Sequence, residues 1–156
     1  MTSNSSNKIG HVAIIMDGNS RWARQRSLKT IEGHKQGVNR LRDIVRYSAK
    51  SEITHLSVFA FSTENWKRSA SDVSDLMKLF LQSIIKEVPE LIENKVQLNF
   101  IGDIPRFSKS LVSQINSAMK DTQAKKPNLN LNVAISYGGR WDILNAIKRM
   151  KNHKIN

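Results

Sequence analysis

The residues best suited to chemistry follow a short apolar run near the N-terminus. The run His11–Met16 predicts a buried strand, and six residues with ligand-binding potential come directly after it: Asp17, Gly18, Asn19, Ser20, Arg21 and Trp22. A carboxylate at the end of a buried strand is costly unless it is paired, hydrogen-bonded or bound to a metal. Asp17 therefore indicates a site for a divalent cation, the alternative being an aspartate that caps a helix or forms a turn.

The residues that follow this aspartate suit an anion. Gly18 lets the backbone approach a ligand, and Asn19 tolerates unusual backbone angles. The segment Ser20–Trp22 predicts the start of a helix, whose free N–H groups favour an anion. Arg21 can hold phosphate oxygens in pairs. The combination predicts a diphosphate site with magnesium, and the alternatives are a surface charge for Arg21 and a core position for Trp22.

A second polar cluster follows another apolar run, His55–Phe61. It combines hydroxyls, an acid, an amide, an indole and a guanidinium: Ser62, Thr63, Glu64, Asn65, Trp66 and Arg68. An ordinary solvated loop is one interpretation. Because an indole is costly to expose, Trp66 instead favours a loop that closes over a ligand, with Arg68 facing the same anion as Arg21.

Two further segments are candidates for binding. Gly33-His34 is predicted to start a helix, from which the His34 ring can donate to a phosphate, although a surface or capping role is the more ordinary one. Tyr137–Asp142 carries two glycines at a predicted strand–helix junction. These glycines fit close approach of the backbone to a ligand or, equally well, a tight turn.

Apolar periodicity predicts the elements that position these residues. The predicted strands are His11–Met16, His55–Phe61, Val96–Ile101 and Leu129–Ser136. The predicted helices are Trp22–Arg26, His34–Lys50, Asp72–Val88, one that includes Leu111–Met119, and Trp141–Lys151. Ser62–Ser71 is predicted to be a loop, and Pro89 to kink or stop the third helix. The alternation indicates an α/β fold with a mostly parallel sheet flanked by helices, whose ligands bind at the carboxyl ends of the strands.

Composition limits the class of protein. The chain has 156 residues, 39% hydrophobic and 24% charged, which is typical of one soluble domain, here 11–156 after a flexible tail at 1–10. The absence of cysteine excludes disulfides and cysteine-based zinc sites. No apolar run reaches membrane-spanning length, and Met1–Lys8 lacks the apolar centre of a signal peptide, which predicts a cytoplasmic protein. The net charge of +12 favours phosphorylated substrates or an anionic membrane face, whereas dispersed basic residues and few aromatics argue against nucleic acid.

The ordered set of clusters resembles the cis-prenyltransferase family, especially the bacterial undecaprenyl diphosphate synthases. The similar segments are His11–Ala23, Gly33–Gly37, Phe59–Arg68, Ile101–Asp103 with Arg106-Phe107, and Tyr137–Ile143. The resemblance implies a six-stranded, mostly parallel sheet beside an apolar tunnel. It also implies a homodimer, whose interface we expect to be incomplete in this chain, and contact with the inner face of the membrane. The implied reaction is magnesium-dependent condensation of isopentenyl diphosphate onto an allylic diphosphate. Each condensation makes a cis double bond, and the product is a polyprenyl lipid carrier.

The resemblance also implies a role for each matching residue. Asp17 would be the catalytic acid and the magnesium ligand. Asn65 would be the proton acceptor, although a neutral amide is a poor base and a relay to a phosphate or water is physically easier. The residues implied to bind substrate are Gly18, Asn19, Ser20, Arg21, Trp22, His34, Ser62, Thr63, Glu64, Trp66 and Arg68. Leu76, Phe80 and Ile84 would line the tunnel, unless they simply pack in the core.

The sequence departs from the family pattern in two places. Thr30 stands where the family commonly has an arginine that supports the allylic diphosphate, and Lys29 is a candidate replacement. The family's last strands and helices, with an Arg-x-Gly-Gly-Glu segment that binds isopentenyl diphosphate, do not appear after Lys151. We therefore expect a domain that is incomplete at its C-terminus, with unpaired sheet edges and an exposed apolar face. It would be either an isoprenyl transferase, with or without a partner subunit, or a non-catalytic remnant that retains the allylic diphosphate half-site.

Overall fold

A four-stranded, fully parallel sheet forms the centre of this computed structural model, which describes residues 9–152 and their side chains up to residue 150. The strands are β1 (His11–Ile15), β2 (His55–Ser62), β3 (Val96–Ile101) and β4 (Leu129–Tyr137). Their order across the sheet is β1-β2-β4-β3, and each neighbouring pair is parallel. The predicted α/β fold and parallel sheet are confirmed. Residues 1–8 of the predicted tail lie outside the described residues.

Within residues 9–152, four α-helices and two short 3-10 helices connect the strands, and a fifth α-helix follows β4. The α-helices are α1 (Asn19–Arg24), α2 (Thr30–Ala49), α3 (Ala70–Glu93), α4 (Lys109–Asp121) and α5 (Gly139–Asn152), and the 3-10 helices are Thr63–Lys67 and Ile104–Arg106. Because apolar residues recur at helical spacing, α2, α3 and α4 each place buried side chains in the core, among them Val45, Ile84 and Ile115.

The core lies against one face of the sheet, where the register aligns apolar residues of adjacent strands. Leu131 of β4 pairs with Leu56 of β2 and with Leu98 of β3, and all three are buried. Val133 pairs in the same way with Val58 and Phe100. Alternate residues of a strand point to opposite faces, so this register builds a continuous apolar floor beneath the helices.

The prediction that the first strand is buried is wrong. Among the described strands β1 pairs with β2 alone, so β1 is an edge strand, and Ile15 at its end is 79% exposed. At the other end of the strand, the Gly10 carbonyl accepts hydrogen bonds from the N–H groups of Thr54 and His55 at 2.9 and 3.0 Å. The backbone is therefore already held in place at Gly10, which the sequence assigned to the flexible tail.

Three predicted element boundaries also need correction. The helix α2 starts at Thr30, so Gly33 and His34 lie within it and not at its start. The predicted loop Ser62–Ser71 contains the 3-10 helix and the first turn of α3. The helix α3 continues through Pro89 to Glu93, since burial of Leu91 and ion pairing of Glu90 hold the turn that follows the proline.

The expected open edges and exposed apolar surface are present within residues 9–150. The strands β1 and β3 form the two edges of the sheet. The large apolar side chains of α5 that are exposed are Ile143, Leu144, Ile147 and Met150. Over the same range no helix has the length and apolar character required to cross a membrane.

Candidate active site

The polar segments identified in the sequence meet at one edge of the sheet. Asp17 follows β1, Asn65 follows β2, and Gly138 follows β4. Because all four strands are parallel, their carboxyl ends lie at the same edge. This is the edge at which ligands bind to open parallel sheets.

A cavity of about 370 Å³ extends from this edge between α2, α3 and the sheet. Six polar residues line its mouth: Asp17, Asn19, His34, Ser62, Asn65 and Arg68. Most of the remaining lining is apolar: Val38, Leu41 and Val45 of α2, Leu76, Phe80 and Ile84 of α3, and Phe59, Phe61, Leu98, Phe100, Leu131 and Val133 of the sheet. The polar residues Arg42, Arg46, Ser83, Glu87 and Glu90 also line the cavity. The volume is in the range of small-molecule sites, roughly 300–1,000 Å³. The three α3 residues predicted to line a tunnel therefore do line a cavity.

The Asp17 carboxylate lies exposed at the mouth of this cavity. One oxygen accepts a hydrogen bond from the Gly18 N–H at 2.6 Å, and the other accepts one from Arg21 Nη2 at 2.8 Å. The side chains of Arg21 and Asp17 are 66% and 78% exposed. An ion pair this exposed contributes little stability, so a ligand or a cation can displace it at small cost.

Two glycines of α2 allow α1 to lie directly against that helix. A Cβ atom at Gly33 would stand 2.0 Å from the Asn19 carbonyl oxygen, and one at Gly37 would stand 2.8 Å from Asn19 Oδ1. Residues four apart share one face of a helix, so the two glycines form a flat surface that positions the segment after Asp17. We assigned Gly33 to a helix start from the sequence and missed this role, although the four-residue spacing was a usable signal.

We expect Gly33→Ala to lower the free energy of unfolding by about 1–3 kcal/mol, because the added methyl group overlaps the Asn19 backbone and must displace α1. Urea denaturation measures the change. Gly139→Ala is the matched control, since a Cβ atom there meets nothing within 4 Å. Equal stability of the two variants would contradict the proposed contact.

The 3-10 helix after β2 fixes the orientation of the Asn65 amide. Asn65 Oδ1 accepts a hydrogen bond from the Ser62 N–H at 2.9 Å, and the Asn65 N–H donates to Ser62 Oγ at 3.2 Å. A backbone N–H can only donate, so the amide oxygen must face it. The Asn65 NH₂ group is therefore the part of the amide available to a ligand in the cavity.

Trp66 anchors this loop and does not line the cavity. Its Nε1–H donates to Ser136 Oγ at 2.9 Å, and its ring centroid lies 5.1 Å from that of Phe61 and 5.3 Å from that of Phe107. The Arg106 guanidinium lies 4.8 Å above the same ring. The indole thus ties the loop to β2, β4 and the segment after β3.

The remaining candidate residues occupy different places. Thr63 packs against Gly138, where a Cβ atom would stand 2.5 Å from Thr63 Oγ1, and Glu64 is exposed. Gly18 and Trp22 line a neighbouring pocket with Asp17 and Asn19, and the Arg26 guanidinium stacks 4.4 Å above the Trp22 ring.

Three residues at the start of the two helices line neither of these cavities. Ser20 is half-buried in α1. Lys29 caps the N-terminus of α2 and is exposed, and the neighbouring Thr30 is half-buried. A basic side chain that replaces the family arginine thus remains a prediction.

His34 is the titratable group most affected by its surroundings. Its Nε2 atom is buried without a hydrogen-bond partner in the protein. Burial lowers the pKa of His34 below its usual 6.5, the charge of Arg68 lowers this pKa further, and Asp72 opposes the shift. The neutral form of the ring is therefore favoured, and the ring lies beside the polar mouth of the cavity.

We expect the protein to lose stability as the pH falls below about 6.5. The folded state holds the pKa of His34 below its unfolded value, so protons bind the unfolded chain more readily in that range. The stability contribution is fully present above the unfolded pKa and decreases below it, by less than about 1.4 kcal/mol per pH unit. Urea denaturation at several pH values measures the slope. His34→Gln should flatten it, and an unchanged slope in this variant would contradict this assignment.

The residues at the cavity mouth fit a magnesium ion that is held largely by a substrate. Within residues 9–150 no three His, Cys, Asp or Glu side chains cluster closely enough to hold a metal ion by themselves. Magnesium is commonly bound through one or two carboxylates together with substrate phosphates and water. The exposed Asp17 carboxylate meets that requirement.

Comparison with known proteins shows to which family the chain belongs. The family described as "Putative undecaprenyl diphosphate synthase" matches residues 15–156. The chain belongs to the cis-prenyltransferase family. It is 46% identical over 140 residues to an isoprenyl transferase of Neisseria gonorrhoeae, a match that covers 90% of this chain and 56% of the relative. It is 47% identical over 140 residues to a farnesyl-diphosphate-specific ditrans,polycis-undecaprenyl-diphosphate synthase of Pasteurella multocida, covering 90% of this chain and 58% of that protein.

Solved structures of cis-prenyltransferases have the same fold. Lavandulyl diphosphate synthase from Lavandula x intermedia, in complex with dimethylallyl diphosphate, matches with a TM-score of 0.87 and 34% identity over 92% of this chain and 61% of that chain. A protein from Campylobacter jejuni described as a probable undecaprenyl diphosphate synthase matches with a TM-score of 0.75 and 30% identity, over 96% and 66%. The chain thus spans a little more than half the length of the curated relatives it matches.

Proposed function

We propose that this chain binds an allylic diphosphate and acts as an isoprenyl transferase that extends it with isopentenyl diphosphate in the cis geometry. The observation that supports this most directly is the cavity between α2, α3 and the sheet, with polar groups at its mouth and mostly apolar walls beyond. A prenyl diphosphate has the same division between a charged head and a hydrocarbon tail. The Pasteurella relative is described as specific for farnesyl diphosphate, which makes that compound the first substrate to test.

In this proposal the polar residues at the mouth hold the diphosphate. Arg68 supplies a permanent positive charge and forked donors, and the Asn65 NH₂ group and the His34 ring supply further hydrogen bonds. Asp17 is the residue that would hold magnesium with the diphosphate. When bound, magnesium would neutralise charge that develops on the departing pyrophosphate.

The reaction breaks one bond and forms another. The C–O bond between the allylic carbon and the diphosphate breaks, a C–C bond forms to the terminal carbon of isopentenyl diphosphate, and one proton leaves the adjacent carbon. The chain's part is to orient the diphosphate, to stabilise its growing charge and to keep water from the allylic carbon. Since the Asn65 amide oxygen is engaged by the Ser62 N–H, a phosphate oxygen is a better acceptor for the proton than Asn65.

Calorimetry with farnesyl diphosphate tests binding, and incorporation of labelled isopentenyl diphosphate tests turnover. We expect micromolar binding that weakens at least tenfold when magnesium is chelated. Absence of magnesium-dependent binding would overturn the proposal. Binding without an extended product would restrict the function of this chain to the allylic half-site, and activity that appears on mixing with a second subunit would show that the remaining groups come from a partner.

A further inference from the structure

Two forked ion pairs join α2 to α3 across the cavity. Arg42 Nε donates to Glu87 Oε2 at 2.7 Å while Arg42 Nη2 donates to Glu87 Oε1. Arg46 Nη2 donates to Glu90 Oε2 at 2.7 Å while its Nε donates to Glu90 Oε1. All four side chains line the cavity, and none of them is marked as a site residue by local sequence pattern.

The ion pairs lie at the end of the cavity opposite the polar mouth. Both α2 and α3 begin near the carboxyl ends of the strands and run back toward the amino ends. At 1.5 Å per residue, Arg42 lies about 12 Å along α2 from His34, and Arg46 about 18 Å. The corresponding residues of α3, Glu87 and Glu90, come near its end. The apolar part of the cavity therefore has a charged group at each end.

The Arg42–Glu87 pair, called the inner pair because it lies nearer the polar mouth, is difficult for a hydrocarbon to pass. The side chains of Arg42 and Glu87 are each only 20% exposed, against 50% and 33% for Arg46 and Glu90. A prenyl chain that reached them would remove their remaining water or separate two well-matched partners, and both changes are costly for charged groups. Bonding to Glu87 raises the pKa of Arg42, and bonding to Arg46 lowers the pKa of Glu90, so these groups stay charged.

We propose that these two ion pairs form the end wall of the cavity and set the length of the prenyl chain that it accepts. The inference rests on the proposed function, because it gives the cavity a prenyl tail to hold. It differs from a purely structural role, in which the pairs would fasten α2 to α3 without any effect on ligand length.

The experiment compares the full chain with three variants. Arg42→Met/Glu87→Met replaces the inner pair with apolar side chains of similar length, which keeps the cavity end filled without leaving an unpaired charge. Arg42→Glu/Glu87→Arg exchanges the partners and retains a charged wall. Asp75→Asn/Lys78→Met removes an exposed pair of α3 that does not line the cavity. Circular dichroism first confirms that each variant is folded.

Calorimetry then measures the affinity for geranyl, farnesyl and geranylgeranyl diphosphates with magnesium, and for the corresponding prenyl alcohols. We expect the methionine variant to bind the chain one isoprene unit longer than the wild-type optimum about tenfold more tightly than wild type does. The exchanged pair and the control pair should keep the wild-type optimum. An unchanged optimum in the methionine variant would overturn the inference.

The two ligand series separate this inference from the proposed function. If no diphosphate binds but the alcohols show the shifted optimum, the diphosphate site is wrong and the end wall is right. If diphosphates bind with the same length preference in every variant, the proposed function stands and the end wall is wrong. If neither series binds, both are wrong, since the cavity then holds no prenyl chain.

Discussion

Asp17→Ala should weaken the magnesium-dependent binding of farnesyl diphosphate at least tenfold and lower any turnover roughly 100- to 1,000-fold, the usual effect of removing one preorganised charge-stabilising group. The carboxylate at the cavity mouth is the group that would join the metal and the diphosphate to this chain. Its removal should also abolish the difference between titrations with and without magnesium. Calorimetry with and without a chelator measures this difference directly.

The same substitution should leave stability within about 0.5 kcal/mol of wild type, because the Asp17–Arg21 pair is exposed. Asp43→Ala is the matched control: it removes a carboxylate of α2 that is paired with Arg40 at 3.0 Å in a similarly exposed setting. The assignment of Asp17 would be rejected if both variants retained the same magnesium-dependent affinity. It would also be rejected if Asp17→Ala lost binding only because it unfolded.

Asn65→Asp should reduce turnover about 100-fold, and the direction of this effect distinguishes two roles for the residue. An aspartate can still accept the Ser62 N–H bond, so the 3-10 helix should keep its cap. It cannot donate to a phosphate, and its negative charge repels the diphosphate. If the residue instead accepted the proton during catalysis, a carboxylate would serve at least as well as an amide.

Two further variants complete this test. Asn65→Ala removes both the side-chain acceptor for the Ser62 N–H and the NH₂ donor, and we expect it to cost about 1 kcal/mol in stability as well as activity. Asn116→Asp adds the same charge at an exposed position of α4 and should behave as wild type. Retained or increased turnover in Asn65→Asp would show that the donor role is wrong. If this chain binds farnesyl diphosphate without turnover, its affinity for that compound is measured in place of the rate. The variants should then rank in the same order by affinity as they would by rate.

Much of the fold followed from local pattern. Alternating apolar runs and helical periodicity predicted four strands at nearly their observed positions, and the cluster of Asp17, Asn65 and Arg68 at one edge of the sheet followed from parallel topology. Local pattern could not reveal that β1 is an edge strand, because the number of neighbours of a strand depends on tertiary pairing. The continuation of α3 through Pro89 likewise depends on the ion pair of Glu90 and the burial of Leu91.

The candidate site was harder to predict in its details than in its location. The sequence placed Trp66 beside a ligand, whereas the structure uses its ring to hold the loop against Phe61 and Phe107. The ion pairs Arg42–Glu87 and Arg46–Glu90 each join residues 45 or 44 positions apart, and no local signal marks such partners. Charged residues on an amphipathic helix are usually solvated, so their arrangement around a cavity becomes visible only in three dimensions.

The strand order β1-β2-β4-β3 has a consequence for how the site is assembled. Among the described strands β4 comes last in sequence and lies between β2 and β3, so those two strands are joined only through β4. Trp66 hydrogen-bonds to Ser136, which lies in that late strand. Part of the anchor of the loop that carries Asn65 therefore comes from a strand that is synthesised after it. During synthesis, the emerging polypeptide exposes the open edge of β2 and the unpaired β3 until β4 has been made, which favours association with other chains.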